Sequence, residues 1–305
     1  MITKCAEFLV DGASSFARNF KIPATVIGLT IVAFGTAVPE LAISFSSHLS
    51  NNKDMLFGNV IGSNISNVFI ILGLAVIIVP FKIHDDVIKK EIPILLLITL
   101  GLSVLFLDTL FSSSTTNALS RADGIILILF FSIFIYYLIT LLSSRADKDE
   151  MEEGPKYKVL MSGVMILLGL GGIILGSDLA VHNVASIALN IGISQKIISV
   201  TIISIGTSLP ELVTTLVAAK KGENNIAIGN IVGSNIFNIC IVLGLPVVIL
   251  GEAATAAFGI VDIAVLLLAV LLLWAFTATD RKLKRYEGII FLLIYCLYGA
   301  YIFMQ

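Results

Sequence analysis

The segment Gly35-Thr36-Ala37-Val38-Pro39-Glu40-Leu41 returns later in the chain as Gly206-Thr207-Ser208-Leu209-Pro210-Glu211-Leu212. A second segment, Gly58-Asn59-Val60-Ile61-Gly62-Ser63-Asn64-Ile65-Ser66-Asn67, returns as Gly229-Asn230-Ile231-Val232-Gly233-Ser234-Asn235-Ile236-Phe237-Asn238. Both pairs are offset by 171 residues, as Glu40 to Glu211 and Asn67 to Asn238 show. One offset shared by two separate segments marks an internal repeat, and the repeat decides the architecture.

Outward from these segments run apolar windows of the length needed to cross a hydrocarbon core, about 20 residues for about 30 Å. The sequence predicts spans near 22–49, 56–79, 91–107, 122–142, 158–189, 193–218, 225–250, 254–278 and 286–304. The segment 5–19 is too short and polar to cross unaided, yet Val10 to Ala17 falls at the same offset from Val181 to Ala188. It therefore reads as the tail of a first helix matching 158–189, with the opening turns missing through a true truncation or a misplaced start codon. Each repeat then holds five helices, and an odd number turns the second repeat upside down. Charge supports this: loops on one side carry fifteen basic residues, among them Lys82, Lys89, Lys90, Lys220 and Lys221, against Lys53, Arg121 and Lys196 on the other. The positive-inside rule makes the first side cytoplasmic. The expected fold is an all-α membrane protein of two inverted five-helix repeats, with a first repeat at 1–142, a charged cytoplasmic linker at 143–157 and a second repeat at 158–305.

Composition agrees. Apolar residues are 57% and charged residues 13% of 305, against about 25% charged in soluble domains. Too few charges remain to coat a soluble particle, which makes this a multi-pass protein of the cell membrane with the lipid bilayer as its partner. Net charge −2 leaves no basic footprint for nucleic acid, and no segment signals an obligate protein partner. Cys5, Cys240 and Cys296 are unpatterned and read as small buried hydrophobes rather than zinc ligands or a disulfide framework. With Glu7, Asp11 and Arg18, the first twenty residues lack the continuous apolar stretch of a cleavable signal peptide. The acidic run Asp147, Asp149, Glu150, Glu152 and Glu153 lacks the alternating ligands and turn glycine of an EF-hand, and reads as a solvated linker. No activated nucleophile or nucleotide-binding glycine loop points to an enzyme, and nothing calls for a cofactor.

The chemistry concentrates in the repeated segments. A carboxylate in mid-membrane costs about 2.5–3.5 kcal/mol on the lenient insertion scale, so Glu40 and Glu211 are functional candidates by default. Inverted repeats bring equivalent residues together near the midplane. Two facing carboxylates repel, so a proton or a cation belongs between them. Pro39 and Pro210 lack N–H groups, which breaks each helix and frees the carbonyls of Gly35 and Gly206. Irregular backbone at this depth is tolerated where it lines a cavity. Ser63 and Asn67, like Ser234 and Asn238, are four apart and share one helix face. Gly58, Gly62, Gly229 and Gly233 allow close helix approach. Together Glu40, Glu211, Ser63, Ser234, Asn67, Asn238, Thr36, Thr207 and Ser208 present only oxygen donors, the set that calcium prefers. Among the other polar residues, Glu7, Asp178, Asp11 and His182 are expected in structural hydrogen bonds. His48 and His84 are expected in solvated loops. Asp108, Asp123 and Asp262 sit near span ends without a partner in the repeated segments, and no role is expected for them.

With its paired Gly-Thr-x-x-Pro-Glu and Gly-Asn-x-x-Gly-Ser-Asn segments, the chain resembles the cation/calcium exchanger superfamily, and specifically prokaryotic sodium/calcium exchangers, over nearly its whole length. The resemblance implies a ten-helix antiporter in which sodium entry drives calcium export by alternating access. It implies that Glu40 and Glu211 bind calcium and sodium in turn, with Thr36, Thr207 and the carbonyls of Ala33 and Ser204 contributing oxygens. Ser63, Ser234 and Ser208 would complete the sodium sites, with Asn67 and Asn238 flanking the centre. Two departures stand out. Ala37 occupies a position where the family usually has serine, which implies weaker or fewer sodium sites in the first repeat. Asn238 stands where potassium-dependent relatives carry aspartate, which argues against potassium co-transport. The family's first and sixth helices form its mobile pair, so a shortened first helix would impair the cycle. A calcium/proton antiporter of the same fold and a calcium-binding membrane protein that does not transport are the alternatives.

Overall fold

A computed structural model describes residues 2–111, 116–142, 154–190 and 204–304. The first repeat contains α1 (Ile2–Phe20), α2 (Ala24–Thr36), α3 (Val38–Leu49), α4 (Lys53–Ile78), β1 (Phe81–Lys82), α5 (Ile92–Phe106), β2 (Asn117–Leu119) and α6 (Arg121–Leu142). The second contains α7 (Val159–Asn190), α8 (Ser204–Thr207), α9 (Leu209–Lys220), α10 (Asn224–Leu250), β3 (Ala253–Thr255), α11 (Ile260–Asp280), β4 (Lys282–Leu283) and α12 (Arg285–Met304). Residues 193–203 of the expected 193–218 span and the acidic run at 147–153 lie outside the described residues.

Among the described residues, six helices are long and apolar enough by themselves to cross a membrane, and α2 with α3 forms a seventh, bent by 43°. The bend has a local cause. Ala37 leaves the helical path at φ −85°, ψ 3°, and Pro39 sits in the first turn of α3, where its missing N–H would have had no intrahelical acceptor. Ser208 repeats this at φ −87°, ψ 7°, with Pro210 in the first turn of α9. The offset of 171 extends to other backbone details. α3 and α9 end in left-handed turns at Asn51 and Gly222, two residue types that tolerate positive φ. Both α4 and α10 widen into a π-helical stretch, at Asn67–Leu72 and Asn238–Leu243.

The fold adds two short antiparallel pairs to the expected all-α architecture: β1 with β4, and β2 with β3. By chain order β1 corresponds to β3, and β2 to β4. Exchanging the repeats therefore converts one pair into the other, as a two-fold axis between inverted repeats requires. β3 occupies residues placed by the sequence in a span at 254–278, and α11 begins only at Ile260 because Asp262 accepts the Gly259 N–H at 2.8 Å and caps the helix there.

Packing is tightest where glycine removes the side chain. A Cβ at Gly233 would lie 2.7 Å from the Leu29 carbonyl, and one at Gly229 would lie 2.9 Å from the Thr25 carbonyl, so α2 and α10 meet backbone to backbone. Gly62 has nothing within 4 Å of such a position among the described residues, so close approach is seen on α10 and not there. α1 packs along α7 in the same way, with Gly169 against the Cys5 carbonyl and Gly12 against the Ser162 carbonyl. Its buried face is Ala6, Leu9, Val10, Ala13 and Ala17. The outer faces of α6, α7 and α12 expose Leu129, Ile133, Leu160, Leu167, Leu293 and Leu297, an apolar exterior suited to lipid. His48 is not in a solvated loop: it lies in the last turn of α3, 4% exposed. His84 is in an exposed connection, as expected.

Candidate ion-binding site

The first turns of α3 and α9 carry Glu40 and Glu211, each three residues past a break. Helix starts have positive electrostatic character, which favours an anion there. Both carboxylates are 1% exposed, and none of their four oxygens has a hydrogen-bond partner among the described residues. They are close enough for their charges to repel. Two desolvated, unpaired carboxylates are costly to a fold unless a cation or proton joins them.

Further buried polar atoms of the repeated segments are in the same condition among the described residues. Ser208 and Ser234 hydroxyls are buried without partners, as are the Asn67 and Asn238 amide oxygens and both ends of the Asn64 amide. Native proteins leave few such groups, and the binding of an ion is one explanation for a cluster of them. Ser63 is buried one turn before Asn67. The Asn67 amide nitrogen donates to Asn235 Oδ1 at 2.9 Å, which joins α4 to α10 across the repeats. Asn235 in turn donates to the Asn64 carbonyl at 3.3 Å.

Thr36 ends α2, fully buried. Its hydroxyl shares its one proton between the Ala33 carbonyl at 3.3 Å and Asn230 Oδ1 at 3.2 Å, and its side chain lies beside the Glu211 carboxyl. The Ala33 carbonyl also accepts the Ala37 N–H at 3.1 Å, so both its lone pairs are engaged in this conformation. Thr207 ends α8 at the matching position and is half-buried. Ser204 opens α8, and its side chain lies outside the described residues. Among the described residues no cluster of three or more histidine, cysteine, aspartate or glutamate side chains forms. The arrangement is two carboxylates among neutral oxygens, which suits a hard cation such as sodium or calcium better than a thiophilic metal.

Four asparagines matter more than their composition suggests. Asn59 and Asn230 bind the two glutamate-bearing helices, and Asn64 and Asn235 lie between α4 and α10. Their exact recurrence at offset 171 was the available signal, and reading them only as part of a motif passes over it.

A family model described as sodium/calcium exchanger protein matches residues 1–140 and 161–304. The inner membrane protein YrbG of Escherichia coli strain K12 is 36% identical over 85% of this chain and 80% of its own length. The sodium/calcium exchanger MaX1 of Methanosarcina acetivorans is 29% identical over 99% of this chain and 95% of its own. A solved structure of the sodium-calcium exchanger NCX_Mj, soaked with 10 mM sodium and no calcium, matches with TM-score 0.84 at 32% identity, covering 98% of this chain and 94% of that one. With its paired repeats, twin broken helices and this full-length match, the chain belongs to the sodium/calcium exchanger protein family, and is a multi-pass membrane protein of its fold.

Proposed function

We propose that this protein is a secondary-active antiporter that exchanges sodium for calcium by alternating access, binding each ion in turn near the midplane between Glu40 and Glu211. The observation that carries the reading is the buried set of oxygens without partners among the described residues: both glutamates, Ser208, Ser234, Asn67 and Asn238. Thr36, Thr207, Ser63 and the carbonyls of Ala33 and Ser204 complete the proposed ligand set. The Ala33 carbonyl then joins when an ion displaces the Thr36 hydroxyl that now donates to it. Calcium, with six to eight oxygen ligands, draws on both carboxylates; sodium ions, with less charge, share them singly with hydroxyls. The relatives named as sodium/calcium exchangers support the choice of ions. The working unit is two repeats, 1–142 and 158–305, joined by the linker at 143–157, and no cofactor enters the cycle.

The test is calcium-45 uptake into proteoliposomes under an imposed gradient of sodium, potassium or protons in turn. Sodium alone is expected to drive uptake, and Glu40→Gln and Glu211→Gln are each expected to abolish it. Uptake driven by a pH gradient alone would make the protein a calcium/proton antiporter. Calcium binding without flux would make it a non-transporting binder, and normal uptake by either glutamine variant would remove the glutamates from the site.

A further inference from the structure

Along α4, Asn59, Ser63 and Asn67 are spaced by four residues and form one ladder on one face. Asn230, Ser234 and Asn238 form the same ladder on α10. The upper two rungs of each belong to the oxygen set described above. The lowest rung differs, because its amide is already committed. The Asn59 amide nitrogen donates to the Glu40 carbonyl at 2.9 Å and to Ser44 Oγ at 3.0 Å. That of Asn230 donates to Thr215 Oγ1 at 3.0 Å and reaches the Glu211 carbonyl at 3.5 Å. Ser44 and Thr215, like Asn230, are fully buried.

Glu40 and Ser44 are one helical turn apart, as are Glu211 and Thr215. An amide that grips both points holds the helix against rotation about its axis and against sliding along it. The glutamate is thereby kept in register with the serine and asparagine one and two turns further along the gripping helix. Asn230 has a second connection: its amide oxygen accepts the Thr36 hydroxyl from the opposite repeat at 3.2 Å. One side chain thus touches the helix of Glu211 and the threonine that precedes the break in α2.

We propose that Asn59 and Asn230 are positioning residues of the ion site, each setting its glutamate in register with the oxygens of the neighbouring helix, and that Asn230 couples Glu211 to Thr36 across the repeats. The proposal rests on the reading of that site as ion-binding. It gives the Gly-Asn pair of the second repeated segment a task distinct from ligation, since neither amide nitrogen can coordinate a cation and the Asn230 oxygen is occupied.

Equilibrium calcium-45 binding to the purified full-length protein tests it, with thermal melting of each variant measured in parallel. Asn230→Ala is expected to raise the half-saturating calcium concentration about tenfold, the scale of one or two lost buried hydrogen bonds. Thr215→Ala, which removes only an acceptor of that amide, is expected to raise it about two- to threefold, while Thr215→Ser restores the wild-type value. Thr36→Ala combined with Asn230→Ala is expected to lose little more than the weaker-binding single variant, whereas combined with Asn59→Ala the two losses multiply. Should Asn230→Ala fail to fold, the Thr215 pair decides. Wild-type affinity in both Asn230→Ala and Thr215→Ala, a lowered melting temperature without loss of affinity, or multiplying losses for Thr36 with Asn230 would overturn the proposal while leaving the site reading intact. Absence of saturable calcium binding by the wild-type protein would instead overturn the site reading, and the positioning roles with it.

Discussion

At the scale of single residues, Ser208 and Ala37 form an informative pair, because they occupy equivalent positions at the two helix breaks. The Ser208 hydroxyl is buried and has no partner among the described residues, while Ala37 is fully buried and offers no oxygen. A buried hydroxyl without a partner costs its desolvation, and replacing it with hydrogen removes that cost while leaving a small void, so the two effects oppose each other. Ser208→Ala is therefore expected to change stability by less than about 0.5 kcal/mol. On the proposed function it also raises the sodium concentration that half-saturates calcium uptake about two- to tenfold, the value of one neutral ligand. Ala37→Ser is expected to lower that concentration. Sodium titrations of uptake, beside melting curves, check both, and an unchanged sodium dependence in Ser208→Ala would take that hydroxyl out of the site. Of the candidate site, the glutamates and the outer asparagines, Asn67 and Asn238, stood out in the sequence because an acid or amide deep in an apolar helix is conspicuous, and the serines through their place in the repeated segments. Asn59 and Asn230 were not, since a side chain that grips a neighbouring backbone looks, in one dimension, like any other polar residue.

At the scale of elements, the repeat contains a second symmetric feature. Glu91, at the start of α5, is fully buried and accepts the Tyr137 hydroxyl of α6 at 3.2 Å. Asp262, in the first turn of α11, accepts the Tyr298 hydroxyl of α12 at 2.8 Å. The two acids are again 171 residues apart, 91 to 262, though outside the repeated segments, and the expectation that Asp262 has no role is corrected: it caps α11 and ties α11 to α12. The missed signal was a substitution of one acid for another outside the near-identical segments. The two pairs differ in redundancy, for Asp262 also accepts the Gly259 N–H, whereas the second Glu91 oxygen has no partner among the described residues. Tyr137→Phe leaves a buried carboxyl without a donor and is expected to cost about 1–3 kcal/mol. Tyr298→Phe is expected to cost about 1 kcal/mol, because the capping bond remains. Melting temperatures in detergent should fall further for Tyr137→Phe, and the reverse order would mean that the Gly259 contact does not support Asp262. At the cytoplasmic end predicted by charge, Asp11 pairs with Lys221 at 2.6 Å, the kind of structural contact expected for Asp11. Arg18 joins Glu223 at 3.3 Å, so α1 is tied to the turn between α9 and α10.

At the scale of the whole molecule, orientation in the membrane follows from where basic residues fall. β1 and β4 bring Lys82 opposite Lys282, and Arg281 pairs with Asp85 at 3.1 Å, so this pair of strands gathers much of the basic charge predicted for the cytoplasmic side. β2 and β3 lie at the other end, near Arg121. In a cysteine-free background, Arg121→Cys is expected to react with a membrane-impermeant maleimide on intact cells, and Lys82→Cys only after permeabilisation. Labelling of Lys82→Cys in intact cells would invert the topology. The membrane class, the inverted repeats and the twin broken helices were determined by the sequence alone, because apolar length, a fixed offset, proline and the distribution of charge are one-dimensional properties. Tertiary structure decided which residues meet across the repeats: Thr36 with Asn230, Asn67 with Asn235, β1 with β4 and β2 with β3. Those contacts join residues 134 to 202 positions apart, and helix periodicity, which relates a residue to neighbours three or four away, carries no information about which distant face it will touch. Only the packing of the two repeats against each other buries both Glu40 and Glu211, whose oxygens find no hydrogen-bond partner among the described residues.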